Sequence, residues 1–336
     1  LSSRKFTFVI LDEAQAIKNP DALISRAVKS LPCRHRIAIT GTPLENKLLD
    51  LWSIMDFLNP KLLGPKESYL VPDCISPSEL RSRLSLLLLR RSKKLVAPEL
   101  PPRIVEVLPV EFEDAQRDFY NRTLVETRQR IKAGGAMEIL SGLTRLRQVC
   151  CDPELFLKRP HDYGSAKLAL LLEKLSEVLD NGHSVLVFSQ FTQMLAIIAR
   201  KLTAHGLPFR SITGETPLAQ RSTIVEEFSA DDQPGILLLS LKAAGTGLTL
   251  TKADYVFLCD PWWNPAVENQ AIDRTHRLGQ DKTVLTYRMV VRDSIEERVL
   301  QLIQEKQELF NAVMGEDSDE AVSSRLTRED LLSLLK

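Results

Sequence analysis

Between residues 184 and 310 the chain alternates short apolar runs with stretches of helical periodicity, and few folds tolerate that pattern. The runs at 184–189, 236–240 and 255–260 are apolar on consecutive positions, and those at 209–213 and 283–291 mix apolar with polar residues. A strand of that kind must be covered on both faces, as in a parallel sheet. The intervening segments 191–205, 217–228, 265–278 and 295–310 carry apolar residues at helical spacing. Strands alternating with helices imply an α/β unit, a parallel sheet with helices on both faces.

The N-terminal part has a shorter version of the same pattern. Residues 6–11 read as a buried strand that ends in Asp12-Glu13. Carboxylates there sit where open α/β sheets bind ligands. The competing reading is an ordinary acidic loop. A helix is expected over 21–31, opened by Asp21 after Pro20. A second strand at 36–40 runs into Gly41-Thr42-Pro43, which turns the chain off the strand end. Residues 48–58 form an amphipathic helix through Leu48, Leu51, Trp52, Met55 and Leu58, with Trp52 read as core. The chain begins at Leu1, almost directly in a strand, and is read as a fragment whose first sheet has neighbours upstream.

Between these parts the pattern changes. Residues 60–77 are irregular, and 78–94 read as helical and then basic, with Arg81, Arg83, Arg90, Arg91, Lys93 and Lys94 and no acid after Glu79. Such a run is either a solvated face or a phosphate track. A strand is expected at 104–110. Helices follow at 113–130 and 139–151, separated by Ala133-Gly134-Gly135. They are expected to project from a sheet rather than belong to it. After a loop at 152–164, Ser165 is expected to cap a helix with the stripe Leu168, Leu171, Leu172, Leu175, Val178 and Leu179. An acidic stretch at 316–320 and a short terminal helix close the chain.

Composition narrows the partners little. Lys plus Arg number 44 and Asp plus Glu 44, so any affinity for a polyanion must come from charge distribution. The five cysteines show no C-x-x-C spacing, and Cys150 and Cys151 are adjacent. Free, apolar-flanked thiols point to a reducing, intracellular compartment. The run 84–89 is too short to span a bilayer, so a soluble protein without a membrane partner is expected.

The stretch Gln270 to Gln280 bears most directly on chemistry. On a helix, Arg274 and Arg277 share a face, with Gln270 one turn earlier. Paired guanidiniums are relieved by an anion between them, and their forks suit phosphate. The alternative is a solvated helix with two surface arginines.

Several segments in order then resemble one family. Asp12-Glu13-Ala14-Gln15 resembles the Walker B box of superfamily-two helicases. Ile39 to Asn46 is similar to motif III of the Swi/Snf-type ATPases, and Asp50 to Pro60 to the segment after it. Val185 to Phe191 resembles motif IV and Ser240 to Leu250 motif V. Asp260-Pro261-Trp262-Trp263-Asn264-Pro265 resembles the coupling segment, and Gln270 to Gln280 motif VI. The wording of Asp12 to Pro20 is closer to microbial members. The resemblance implies RecA-like parallel sheets with helices on both faces, one partial lobe and one complete lobe, plus inserted helical protrusions. The implied segments are 1–60, first lobe; 61–164, linker and protrusions; 165–294, second lobe; and 295–336, brace helix and tail.

The implied cofactors are ATP and Mg²⁺, and the implied partner is double-stranded DNA, with DNA-bound proteins as remodeling targets. By resemblance, Asp12 holds Mg²⁺ and Glu13 activates the attacking water. Arg274 and Arg277 act as arginine fingers beside Gln270, and Gly245 and Gly247 allow close approach of the nucleotide. Thr40, Gly41 and Thr42 couple the nucleotide to DNA. Gln190, Ser240 and Lys242 hold phosphates, and Arg145 and Arg147 help grip the duplex. Trp263 either wedges near the DNA backbone or is core. His276 is read as a structural, hydrogen-bonded histidine. A monomer is expected, in the cytoplasm or nucleoid of a microbe or the nucleus of a eukaryote.

One element of the family is missing. The sequence contains no G-x-x-x-x-G-K-[ST] phosphate loop, and Gly41 to Lys47 does not substitute for it. Loss upstream is the favoured explanation, which leaves this piece alone inactive. A DNA-binding module with no competent ATP site is the alternative, and an RNA-acting helicase of the same superfamily is a third reading.

Overall fold

The computed structural model describes residues 4–40, 48–69, 84, 87–89, 96–132, 136–244, 248–314 and 332–335. Gly41, Thr42, Gly245, Gly247 and the six basic residues of 78–94 lie outside the described residues, and Lys242 is described by its backbone alone. The chain divides into two compact units, Leu1–Ser92 with Lys306–Arg325, and Lys93–Glu305 with Leu326–Lys336.

In the first unit, β1 (Phe6–Leu11) pairs in parallel with β2 (Cys33–Ala38), and α1 (Leu23–Lys29) connects them. The helix α2 (Leu48–Leu58) spans the expected residues. Its Ile54 and Phe57 are buried with Ala14 and Ile17. Trp52 donates its indole N–H to Gly64 O at 3.0 Å and borders a second cluster of Leu51, Met55, Leu63 and Tyr69, which supports the core reading.

The second unit is built on a six-stranded sheet in the order β3-β8-β7-β4-β6-β5. These strands are β3 (Arg103–Val110), β4 (Val185–Ser189), β5 (Phe209–Ile212), β6 (Ile236–Ser240), β7 (Tyr255–Leu258) and β8 (Val284–Val291). All neighbouring pairs are parallel. The central strands β4 and β6, with sequences VLVFS and ILLLS, are buried at every position. This is the doubly covered sheet that continuous apolar runs require.

The remaining described helices are α3 (Asp114–Lys132), α4 (Ala136–Cys151), α5 (Pro153–Leu157), α6 (Ala166–Asp180), α7 (Thr192–Ala204), α8 (Leu218–Ala230), α9 (Leu241–Ala244), α10 (Pro265–Ile272) and α11 (Ile295–Met314). The expected segment 61–164 is therefore divided. Residues 61–69 belong to the first unit, whereas β3, α3 and α4 belong to the second. The reason is burial: Ile139, Leu143, Leu146, Val149 and both adjacent cysteines of α4 share one core with Val185, Val187 and Leu171. So the C-terminal half of α4 is part of the unit rather than a free projection.

Two local expectations need correction. Ser165 stands at the N-cap of α6, but its hydroxyl donates to Cys151 O at 3.1 Å and caps nothing. Gln116 of α3 supplies the acceptor instead, taking the Ala166 N–H at 3.1 Å. The helix expected at 265–278 stops at Ile272, so Arg274 and Arg277 stand on successive turns beyond α10 and not on one helical face.

Candidate functional site

The acidic box sits on a bulge at the exit of β1. Ile39 N–H donates to Leu11 O at 2.8 Å, and Ala14 N–H donates to Ile39 O at 2.9 Å. The ladder thus resumes after Leu11 only at Ala14, and Asp12 and Glu13 are pushed out, both exposed. Glu13 occupies the left-handed region, φ 51° and ψ 52°. A non-glycine residue there is uncommon and clusters at functional sites. Asp12 Oδ1 accepts the Glu13 N–H at 2.9 Å and closes the bulge.

Glu13 is also held from its far end. The Gln15 amide donates to Glu13 Oε2 at 2.6 Å, and Gln15 Oε1 accepts the Thr40 hydroxyl at 2.7 Å. A continuous chain of hydrogen bonds therefore joins Thr40, the first residue past the end of β2's ladder, to the Glu13 carboxylate. Gln15 was not singled out in the sequence; its place in the four-residue box was the only signal. Hard carboxylate oxygens on an exposed strand exit suit Mg²⁺, which takes one or two carboxylates and otherwise water and phosphate oxygens.

In the second unit the expected phosphate-holding residues lie at the carboxyl ends of adjacent strands, Ser189 of β4 being in register with Ser240 of β6. Their exposure differs from expectation. Ser240 is buried, and its hydroxyl accepts the Ala243 N–H at 3.3 Å, so it caps α9 rather than facing solvent. Gln190 is half-buried, and its Oε1 accepts from Arg147 Nη1 at 3.2 Å.

Arg147 is the largest departure. It is 2 % exposed, and its guanidinium donates to Pro261 O as well as to Gln190. It lies 3.9 Å from the Asp260 carboxylate and 4.9 Å from the Trp263 ring centroid. A charged group with those partners is a connector inside the unit, not a surface contact for DNA. Arg145, on the same helix, is half-buried.

Asp260 was read only as part of a motif, yet it organises this end of the sheet. It accepts the Ser189 hydroxyl at 2.5 Å and the Gln190 N–H at 3.2 Å. Burial pushes its carboxyl up to about 6, against the pull of Arg147 and Ser189. Around it, Lys167 donates to Cys259 O at 2.7 Å and to both Glu296 oxygens at 2.7 Å. Burial works against the Lys167 ammonium, but Glu296 outweighs it and holds the lysine above its usual pKa. Glu268 of α10 accepts the Trp262 N–H at 2.7 Å and pairs with Arg288 at 2.8 Å. The Cys150, Cys151 and Cys259 thiols are pushed up by burial, so they are inert packing groups.

The arginine-bearing turn is shaped by Gln280. Its amide nitrogen donates to Thr251 O at 3.0 Å, Ala253 O at 3.0 Å and Thr275 O at 3.2 Å. Leu250 N–H donates to Arg274 O at 2.9 Å. The segment after 247 and the arginine turn are thereby laced together. Arg274 is buried, whereas Arg277 is half-buried and its Nε donates to Asp273 O at 3.2 Å. Gln270, on α10, is half-buried. His276 hydrogen-bonds Pro101 O at 2.7 Å, as a structural histidine should.

One parallel α/β unit thus carries a looped-out acidic box, and a second carries an arginine-bearing turn after β7, the arrangement a helicase-like fold would have. The sequence comparisons agree. A model of the SNF2-related domain matches residues 1–155, and one of the helicase conserved C-terminal domain matches 166–279. The chain belongs to the SNF2 family of helicase-like ATPases. It is 37% identical to an uncharacterized ATP-dependent helicase of Mycoplasma pneumoniae, covering 100% of this chain and 33% of that protein. It is 36% identical to the putative ATP-dependent helicase/translocase YwqA of Bacillus subtilis, covering 99% and 38%. The chain thus spans about a third of the length of these curated relatives. Among solved structures, the Sulfolobus solfataricus SWI2/SNF2 ATPase core in complex with dsDNA superposes with a TM-score of 0.55 at 32% identity, covering 94% of this chain and 70% of that one.

Proposed function

We propose that this chain carries the catalytic residues of an ATP-dependent, double-stranded DNA translocase that displaces proteins from DNA. The observation that carries the reading is the hydrogen-bonded chain from Thr40 through Gln15 to Glu13. It gives a carboxylate fixed in an unusual backbone conformation a direct link to a second motif. The dsDNA bound by the Sulfolobus relative supports duplex DNA as the track.

In this reading Glu13 orients the attacking water and takes its proton, as general-base catalysis requires. Asp12 holds Mg²⁺, which would neutralise phosphate charge. Arg277, half-buried, supplies positive charge to the transferred phosphoryl beside Gln270, and Arg274, buried in this structure, joins it once the turn carrying both opens. Such arginines contribute about 10³–10⁵ in rate in related NTPases. Gly245 and Gly247 leave room for the nucleotide, and Thr40, Gly41 and Thr42 pass its state toward the DNA. Lys242 and Gln190 contact phosphates without reading bases.

The test is displacement of a triplex-forming strand from duplex DNA with ATP and with a non-hydrolysable analogue. Displacement that needs hydrolysis is expected. Hydrolysis without displacement would remove the translocase reading and leave an ATPase. A second reading is a DNA-binding module without a competent ATP site. Any DNA-stimulated ATP turnover by the protein excludes it.

A further inference from the structure

We propose that Arg147 is a positioning residue that fixes the Pro261–Trp263 segment against α4 and the β4 exit, so that these parts move as one body during turnover. This rests on the translocase reading and adds a residue to it. Three elements distant in sequence meet at this one guanidinium. From α4 it reaches Gln190 Oε1 at 3.2 Å, just past β4, and Pro261 O and the Asp260 carboxylate, just past β7. The aromatic rings of Trp263, Phe191 and Trp262 surround it at 4.9, 5.8 and 5.9 Å.

The chemistry of the site argues for position rather than for stability alone. Arg147 is nearly inaccessible, so it offers no surface to a phosphate. A buried ion pair is weak evidence of stabilisation, because desolvation offsets the Coulomb gain. What a planar guanidinium provides is geometry, since its fork and its stacking face fix several groups at once. Here the fork holds a carbonyl and an amide oxygen while a face lies near Trp263. Gln190 is one of the residues assigned to phosphate contact, and Trp263 sits in the segment leading to α10 and the arginine turn. A helix of the second unit is thus tied to the segments on either side of the motor chemistry.

Two variants separate the possibilities. Arg147→Lys keeps the charge beside Asp260 and so avoids an unpaired buried carboxylate, but loses the fork and the stacking. Trp263→Leu leaves the ion pair and removes the ring. Within these residues tryptophan stands at 52, 262 and 263, so Trp52→Phe, with any tryptophan elsewhere in the full protein also replaced, restricts emission to Trp262 and Trp263. In the protein with that change, Arg147→Lys is expected to red-shift the emission and increase acrylamide quenching. The DNA-stimulated kcat is expected to fall about tenfold to a hundredfold, the cost of a small misplacement far from the reacting atoms. The half-saturating DNA concentration and the salt dependence of binding are expected to hold. The loss of kcat should not add to that of Trp263→Leu, because both break the same link.

An unchanged kcat, or fully additive losses, would overturn the proposal. So would a salt slope lowered by about one, which marks a lost phosphate contact. If Arg147→Lys fails to fold, the decision passes to Trp263→Leu, whose retained kcat would equally overturn it. A wild-type protein without DNA stimulation defeats the translocase reading itself, while the quenching result still decides whether Arg147 fixes the segment.

Discussion

Gln15 donates to Glu13 Oε2 at 2.6 Å while accepting the Thr40 hydroxyl at 2.7 Å, so one amide spans two motifs. Gln15→Ala should release the Glu13 carboxylate and lower kcat roughly tenfold to a hundredfold, part of the 10²–10⁴ a positioned general base supplies. Duplex affinity should be unchanged, since no DNA contact is removed. Thr40→Val should act in the same direction and less strongly. Steady-state ATPase assays beside duplex-binding titrations decide this. A Gln15→Ala protein with full kcat would mean that Glu13 is oriented by something else.

The Lys167–Glu296 pair is fully buried at 2.7 Å. Removing one partner leaves an uncompensated charge, so Lys167→Met should destabilise the second unit by about 3–5 kcal/mol. Adding Glu296→Leu should recover most of that loss, because a buried pair replaced by apolar groups is often neutral. Urea unfolding followed by circular dichroism measures both. Additive losses would contradict this view of the pair.

How much of this was legible beforehand depends on range. The strand at 236–240 and the helix at 48–58 were read to the residue, because burial on both faces or on one stripe writes itself locally. The helix at 265–278 was overrun. Nothing in its periodicity shows that Gln280 collects the carbonyls of Thr251, Ala253 and Thr275 and forces turns around Arg274. Arg147 was misread for a related reason. A charged residue on a helix is solvent-facing by default, and its partners Asp260 and Pro261 are distant in sequence. The acidic box was found, but its bulge depends on the position of Ile39 on the neighbouring chain segment.

Asp260 gives a pH signature. Its carboxyl is raised from 3.8 to about 6 in the folded protein, so between those values the folded state keeps a proton that the unfolded chain has lost. Its contribution to stability therefore falls as pH rises through that window and is level above it. By linkage the change is roughly 2–3 kcal/mol. Asp260→Asn cannot titrate. The stability of the wild type relative to that variant should decline by this amount between about pH 4 and pH 7. Parallel pH curves would show that Asp260 does not titrate in this range.

Gln280→Leu removes the amide shared by three backbone carbonyls while keeping side-chain bulk. A loss of about 1–3 kcal/mol is expected from the unsatisfied acceptors. ATP turnover should fall more than ATP binding, because the turn carrying Arg274 and Arg277 loosens. Turnover and nucleotide binding measured on the same preparation separate the two effects. Equal losses in both would place Gln280 outside the arginine turn's function.

The steady-state rate of ATP hydrolysis, followed while duplex DNA is titrated into wild type and Glu13→Gln, bears most directly on the assignment of Glu13 as the base of a DNA-driven motor. Strong stimulation of the wild type is expected, together with a Glu13→Gln protein that binds the same duplex equally well and does not turn over. Equal rates with and without DNA, or undiminished turnover by Glu13→Gln, would contradict it.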